Sequence, residues 1–98
     1  MLYEVTPIIR ERARKIGVEV RPSRRKGKKL DAYDIDGKYI TSFGARGYPD
    51  YHVYKKEYGS KVADEKRRLY KLRHEKDRHV KYRDGRLTAG YLADQILW

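Results

Sequence analysis

The sequence predicts an α+β fold: a small antiparallel β-hairpin sheet packed with an N-terminal helix, a long basic helix and a short C-terminal helix. Three observations predict it. Asp36-Gly37 lies between two apolar-rich segments, the strongest short-range hairpin signal a sequence offers. Thr6-Pro7 and Thr88 each stand before apolar residues at helical spacing. Between them, a stretch dense in Lys and Arg carries a few apolar positions compatible with one helical stripe. The 98 residues suffice for a single small basic domain, 1–98, and not for two cores.

In chain order, Thr6 caps a first helix with Pro7 at its first position, Ile8, Ile9, Ala13 and Ile16 as apolar residues and Gly17 as its stop. Val18 and Val20 alternate with Glu19 and Arg21, which predicts a strand that Pro22 ends or places at a sheet edge. Residues 21–29 hold six basic residues and no acid, a composition expected of a mobile basic loop. A two-residue type I′ turn at Asp36-Gly37 would pair Ile35 with Lys38, Tyr33 with Ile40 and Leu30 with Phe43. Gly44 and Gly47, followed by Tyr48-Pro49-Asp50-Tyr51, predict a break in regular structure. Residues 52–58 favour no single state. Gly59-Ser60 offers an N-cap for a helix over 61–79, with Val62, Leu69 and Leu72 along its apolar stripe. Asp84-Gly85 marks a second turn, and Thr88 caps a last helix bearing Ala89, Leu92, Ala93, Ile96, Leu97 and Trp98.

Apolar residues make up 39% of the chain and charged ones 40%, so the core must be thin and draw on tyrosine and on Lys and Arg stems. Twenty-five Lys and Arg against fourteen Asp and Glu give a net charge of +11, a self-repelling excess that an acidic partner would offset. Nucleic acid, an anionic membrane surface and an acidic protein all qualify. The absence of cysteine excludes a disulfide scaffold, a thiolate zinc site and a cysteine nucleophile, and agrees with a reducing compartment. No apolar run has membrane-spanning length, no signal-peptide pattern opens the chain, and a soluble intracellular protein is the expectation.

Two basic groups are the candidate partner-binding surface: Arg21, Arg24, Arg25, Lys26, Lys28 and Lys29 in the loop, and Lys66, Arg67, Arg68, Lys71 and Arg78 on the long helix. The bland alternative is a solvated face that maintains solubility. Ten tyrosines against one phenylalanine could stack on bases or build a protein interface; equally, they could stand in for phenylalanine in a shallow core. Asp31, Asp34, Asp36 and Gly37 fail as a calcium loop, because Ala32 and Phe43 stand at ligand positions. His74 and His79 are five residues apart and do not share a helical face, so no metal is expected. Gly44-Ala45-Arg46-Gly47 copies the spacing of a backbone-clamping GxxG loop but follows a strand. No serine has a nucleophile's context, and no pair of carboxylates has surroundings that would separate their acidities. Catalysis, a cofactor and a small-molecule substrate are therefore not expected.

Three blocks in order carry a resemblance. They are Phe43-Gly44 with Gly47-Tyr48 and Asp50-Tyr51; Arg67-Arg68 with Tyr70, Arg73 and His74; and Ala89-Gly90-Tyr91-Leu92 with Leu97-Trp98. Together they resemble a family of small basic proteins of large nucleocytoplasmic DNA viruses, over roughly 30–98. The resemblance implies a packaged virion protein without enzymatic activity, found in the capsid and in the host cytoplasm during assembly. It also implies that Tyr48, Asp50 and Tyr51 form a turn against the helix, with Asp50 reaching Arg73 or His74, and that Leu92, Ile96 and Trp98 close the core over the hairpin.

The expected function is a virion structural protein, a minor capsid or cement component that binds other capsid proteins through a basic, tyrosine-rich surface. The alternative is a nucleic-acid-binding protein that contacts the phosphates of DNA or RNA through the loop and helix. A third reading, an enzyme of unrecognised type, would need a concave pocket that the sequence does not advertise.

Overall fold

Thr6 is extended and its hydroxyl accepts from the amide of Ile9 at 3.4 Å, so the chain enters α1 (Pro7–Lys15) with the cap and the first-position proline that its sequence implies. The structure, a computed structural model, describes residues 2–98. Ile9 and Ala13 are buried along α1; Ile8, expected beside them, is 51% exposed, because the buried stripe is only one residue wide here.

β1 (Glu19–Pro22), β2 (Lys28–Tyr33) and β3 (Tyr39–Ala45) form an antiparallel sheet in the order β1-β2-β3, and Pro22 ends an edge strand. Leu30 pairs with Phe43 as predicted, but Tyr33 faces Tyr39 and not Ile40, since the register shifts between Ala32 and Tyr33. The cause lies in the turn. Gly37 donates to the carbonyl of Asp34 at 3.0 Å and has φ +82, whereas Asp36 keeps negative φ, which makes a three-residue turn with a glycine bulge in place of type I′. Asp34 stabilises it by accepting from the amides of Asp36 and Lys38, both at 2.9 Å. Ile35 is thereby left at the tip, 84% exposed and unpaired with Lys38. Both residues of a type I′ turn do take positive φ at Asp84-Gly85, at 52° and 76°, which join β4 (Tyr82–Arg83) to β5 (Arg86–Leu87).

The basic segment is narrower than expected. Residues 21–22 belong to β1 and 28–29 to β2, so the connection is 23–27. Arg46 grips it, its backbone amide donating to the Gly27 carbonyl at 3.0 Å and its guanidinium to the carbonyls of Lys28 at 2.9 Å and Ser23 at 3.0 Å. Lys29 is not a surface residue at all: it is 5% exposed.

β3 runs on through Gly44, where a break was expected, and 52–58 are resolved as part of α2 (Tyr51–Tyr58). α3 (Ser60–Arg73) takes in Ser60, has the Gly59 backbone at its cap position and stops six residues short of the expected end. Its buried residue is Ala63; Val62 and Leu72 are 38% and 62% exposed, so the expected apolar stripe is displaced and only Leu69 of it is half-buried. Thr88 caps α4 (Ala89–Leu92), accepting from Tyr91 at 3.1 Å, and the helix widens into a π-helical turn, Ala93–Leu97.

One cluster forms the core: Ile9 and Ala13 from α1, Val18 and Val20, Leu30 and Ala32, Phe43, and Leu92, Ala93, Ile96 and Leu97 from the C-terminal turn. α1 and the C-terminal helix thus cover one sheet face, and Trp98 packs on the edge of the cluster. Fully burying one such side chain stabilises by roughly 1.5–3 kcal/mol. No helix among the described residues is long and apolar enough to cross a membrane.

Candidate functional site

Where β3 ends, the chain turns through Tyr48-Pro49 and forms one wall of an open cleft of about 600 Å³. α2 contributes Tyr54, the end of α3 contributes Tyr70, Arg73 and His74, and the C-terminal helix contributes Ala89, Gly90, Ala93, Leu97 and Trp98. Asp77, Val80 and Arg83 complete the rim. Along one wall the rings form a column. Tyr70 stacks on Trp98 at 4.3 Å with 7° between planes and on His74 at 4.2 Å with 30°, and Tyr54 lies 6.2 Å from Trp98. Burial pushes the Tyr70 phenol above its ordinary value, with the Asp94 charge adding to the effect, so it stays neutral in the column.

A buried polar latch holds the turn at Tyr48. Lys29 donates to the Tyr48 carbonyl at 2.6 Å and to Asp50 Oδ2 at 2.9 Å, and Tyr3 donates to the same oxygen at 2.5 Å. Asp50 Oδ1 caps α2 by accepting from His52 at 3.0 Å and Val53 at 3.2 Å. Both Asp50 oxygens are thereby occupied, and no hydrogen bond joins Asp50 to Arg73 or His74 among the described residues, contrary to expectation. Its partner is Lys29, a residue placed with the loop by sequence position and buried against Tyr3, the Tyr48 carbonyl and Asp50.

A second buried acid, Asp94, sits on the π-helical turn with 2% of its side chain exposed and accepts from Lys71 at 2.7 Å, with Arg78 at 3.8 Å. Lys71 and Arg78 therefore act partly as internal counter-ions, a correction to their assignment as open surface. Arg68 is exposed and paired with Glu65 one helical turn away. Arg21 lies over Tyr33 at 4.5 Å and Lys66 over Tyr54 at 5.4 Å. Lys28 is half-buried, and Arg24, Arg25 and Lys26 are exposed without an ion pair among the described residues.

Arg67, half-buried, lies 3.6 Å over the ring of Tyr51, which Arg12 approaches from 5.7 Å. Burial first, then the like charge of Arg67, pulls Arg12 below its ordinary value. Beside them, His52 donates through Nε2 to the Ile96 carbonyl at 2.9 Å. Burial holds its imidazole below the ordinary 6.5; the Ile96 contact and Asp50 oppose this, and Arg12 and Arg67 reinforce it. A depressed histidine binds fewer protons folded than unfolded, so its contribution is complete above the unfolded value and is lost as pH falls from there through the lower folded value. Urea unfolding between about pH 7.5 and about pH 5 is expected to show stability declining with acid, less steeply in His52→Gln. Equal declines in both would remove His52 as the cause.

Of the residues that carry the resemblance, Gly44, Tyr48, Tyr70, Arg73, His74 and Trp98 all line the cleft. Phe43 lies at 0% exposure in the core beneath it, Gly47 forms the turn before Tyr48 with φ +86, and Tyr51 is buried against Arg67. The cleft itself, Arg83 on its rim and the internal role of Asp94 were missed from sequence. The only sequence signal for Asp94 was an acid among apolar residues in the last helix.

Residues 18–57, which run from the start of the sheet to α2, match a family of unknown function (DUF5754). No curated protein and no solved structure matches the chain.

Proposed function

We propose that the protein is a non-enzymatic structural component of a large DNA virus particle, a minor capsid protein that cements other capsid proteins through its basic, tyrosine-rich surface. The viral setting rests on the sequence resemblance. The observation that carries the adhesive role is the division of charge. Asp50 and Asp94 are spent inside on Lys29, Lys71 and Arg78, while Arg24, Arg25 and Lys26 stand exposed on one tip without an acid partner among the described residues. Such a tip suits an acidic neighbour in an assembly, where arginine and tyrosine are favoured contacts. Purified particles examined by mass spectrometry and by reconstruction of the shell should contain the chain at a fixed, repeated position. Particles free of it would end this reading.

The same tip supports a second reading, phosphate contacts to DNA or RNA. Each phosphate neutralised contributes about 0.9 to the slope of log affinity against log salt, so the triple variant Arg24→Ala/Arg25→Ala/Lys26→Ala is expected to lower that slope by about 3. A slope unchanged in the variant would exclude the tip as a phosphate grip.

A further inference from the structure

From the cleft we infer a second binding site, one for a nucleobase that carries a phosphate. It requires neither the virion role nor phosphate contacts at the 23–27 tip. Three features converge on that ligand. The volume, about 600 Å³, lies in the range of small-ligand sites and far exceeds what a single anion fills. Tyr70 and Trp98, stacked on each other, line it together with Tyr48, which is 73% exposed and has no aromatic or cationic partner on its ring among the described residues. An unpartnered tyrosine ring lining a space of this size suits a planar heterocycle, since every base has a π-face to offer.

The third feature is charge. Arg73 and Arg83 are exposed on the rim and make no ion pair among the described residues, whereas the charge of Lys29 is already matched by Asp50. Two free guanidinium groups against the single acid Asp77 favour an anion at the mouth, and arginine's planar fork suits phosphate oxygens. Among the described residues the hydroxyls of Tyr54 and Tyr70 make no hydrogen bond and neither is fully enclosed, so they can meet the polar edge of a base. An inorganic anion would use the rim and leave the rings unoccupied; a base with its phosphate uses both.

The ligand can come from a free nucleotide or from an unpaired base within a strand. Trp98 is the only tryptophan, so its fluorescence reads the cleft directly. Titration of the full chain with adenosine monophosphate and with an oligodeoxyadenylate of about eight nucleotides should quench Trp98 saturably, while inorganic phosphate should not. A strand as the source predicts at least about ten-fold tighter binding of the oligonucleotide; a free nucleotide predicts equal or tighter binding of the monophosphate. Tyr48→Ala and Arg83→Ala, both at exposed positions, are expected to weaken binding about five-fold or more each with the far-UV spectrum unchanged. The triple alanine variant of the tip should bind the monophosphate as the native chain does. Absence of saturable quenching by both ligands, quenching by phosphate alone, indifference to Tyr48→Ala and Arg83→Ala, or loss of monophosphate binding in the tip variant would each overturn the site. None of these results bears on whether the chain is found in particles, or on the salt slope at the tip.

Discussion

Asp50→Ala is expected to lower the free energy of unfolding by about 3–5 kcal/mol, a large part of the roughly 5–15 kcal/mol typical of a small domain. Asp50 is 0% exposed and its two oxygens serve four donors: Lys29, Tyr3, and the amides of His52 and Val53. Alanine removes a helix cap, worth about 1 kcal/mol, and strands the Lys29 ammonium in the interior, where an unpaired charge is far more costly. Tyr3 gives no compensation, because burial first and the Asp50 contact second push its phenol well above the ordinary tyrosine value and keep it a neutral donor. The penalty belongs to the broken pair more than to the lost attraction. Lys29→Met combined with Asp50→Asn, which removes both charges and retains a capping oxygen, is therefore expected to lie closer to the native chain than Asp50→Ala. Urea midpoints followed by far-UV circular dichroism measure both. A loss below about 1 kcal/mol in Asp50→Ala would show that the latch does not support the fold.

Gly44→Ala ranks second, with an expected loss of about 2–4 kcal/mol. Gly44 has φ +79, a region where a Cβ is strained by about 1–2 kcal/mol. That Cβ would also lie 2.7 Å from Leu97 Cδ1 and 3.2 Å from Cβ and Cδ of Lys29. Leu97 and Lys29 are 1% and 5% exposed, so neither has room to retreat, and such overpacking adds roughly 1–3 kcal/mol. Gly47→Ala separates the two effects: its φ is +86, yet a Cβ there meets nothing within 4 Å. It should show the backbone strain alone. Equal losses in the two variants would mean that the close approach at Gly44 carries no energy.

Local signals were legible in the sequence, and long-range ones were not. Thr6-Pro7 and Thr88 are each specified within a few residues and stand in the structure, whereas the Leu30–Phe43 pairing stands only because the register shift between Ala32 and Tyr33 offsets the extra turn residue. The α+β class follows from them. The turn at Asp36-Gly37 departed from type I′ because Asp34, two residues upstream, offers its carboxylate to two amides and stabilises a wider loop. The interior role of Lys29 was hidden for a different reason: its neighbours in sequence are basic, and the acid it pairs with lies twenty-one positions away. The cleft is built from Lys29, 44–49, Tyr54, 70–83 and 88–98 together, so no window of sequence contains it. Tyrosine content hinted at its chemistry, and the expectation that tyrosines substitute for core phenylalanines holds better for Tyr51 than for exposed Tyr48.

The grip of Arg46 on 23–27 has a bearing on how the basic tip would meet any neighbour. Three hydrogen bonds to the carbonyls of Ser23, Gly27 and Lys28 fix the backbone on which Arg24, Arg25 and Lys26 are mounted. Charges on a free tether surrender conformational entropy when they dock, of order 1–2 kcal/mol for each backbone residue that becomes ordered. Here that ordering is already complete once the sheet has formed. The three side chains are thus presented from a backbone already ordered, and docking them would cost mainly their own rotamer freedom.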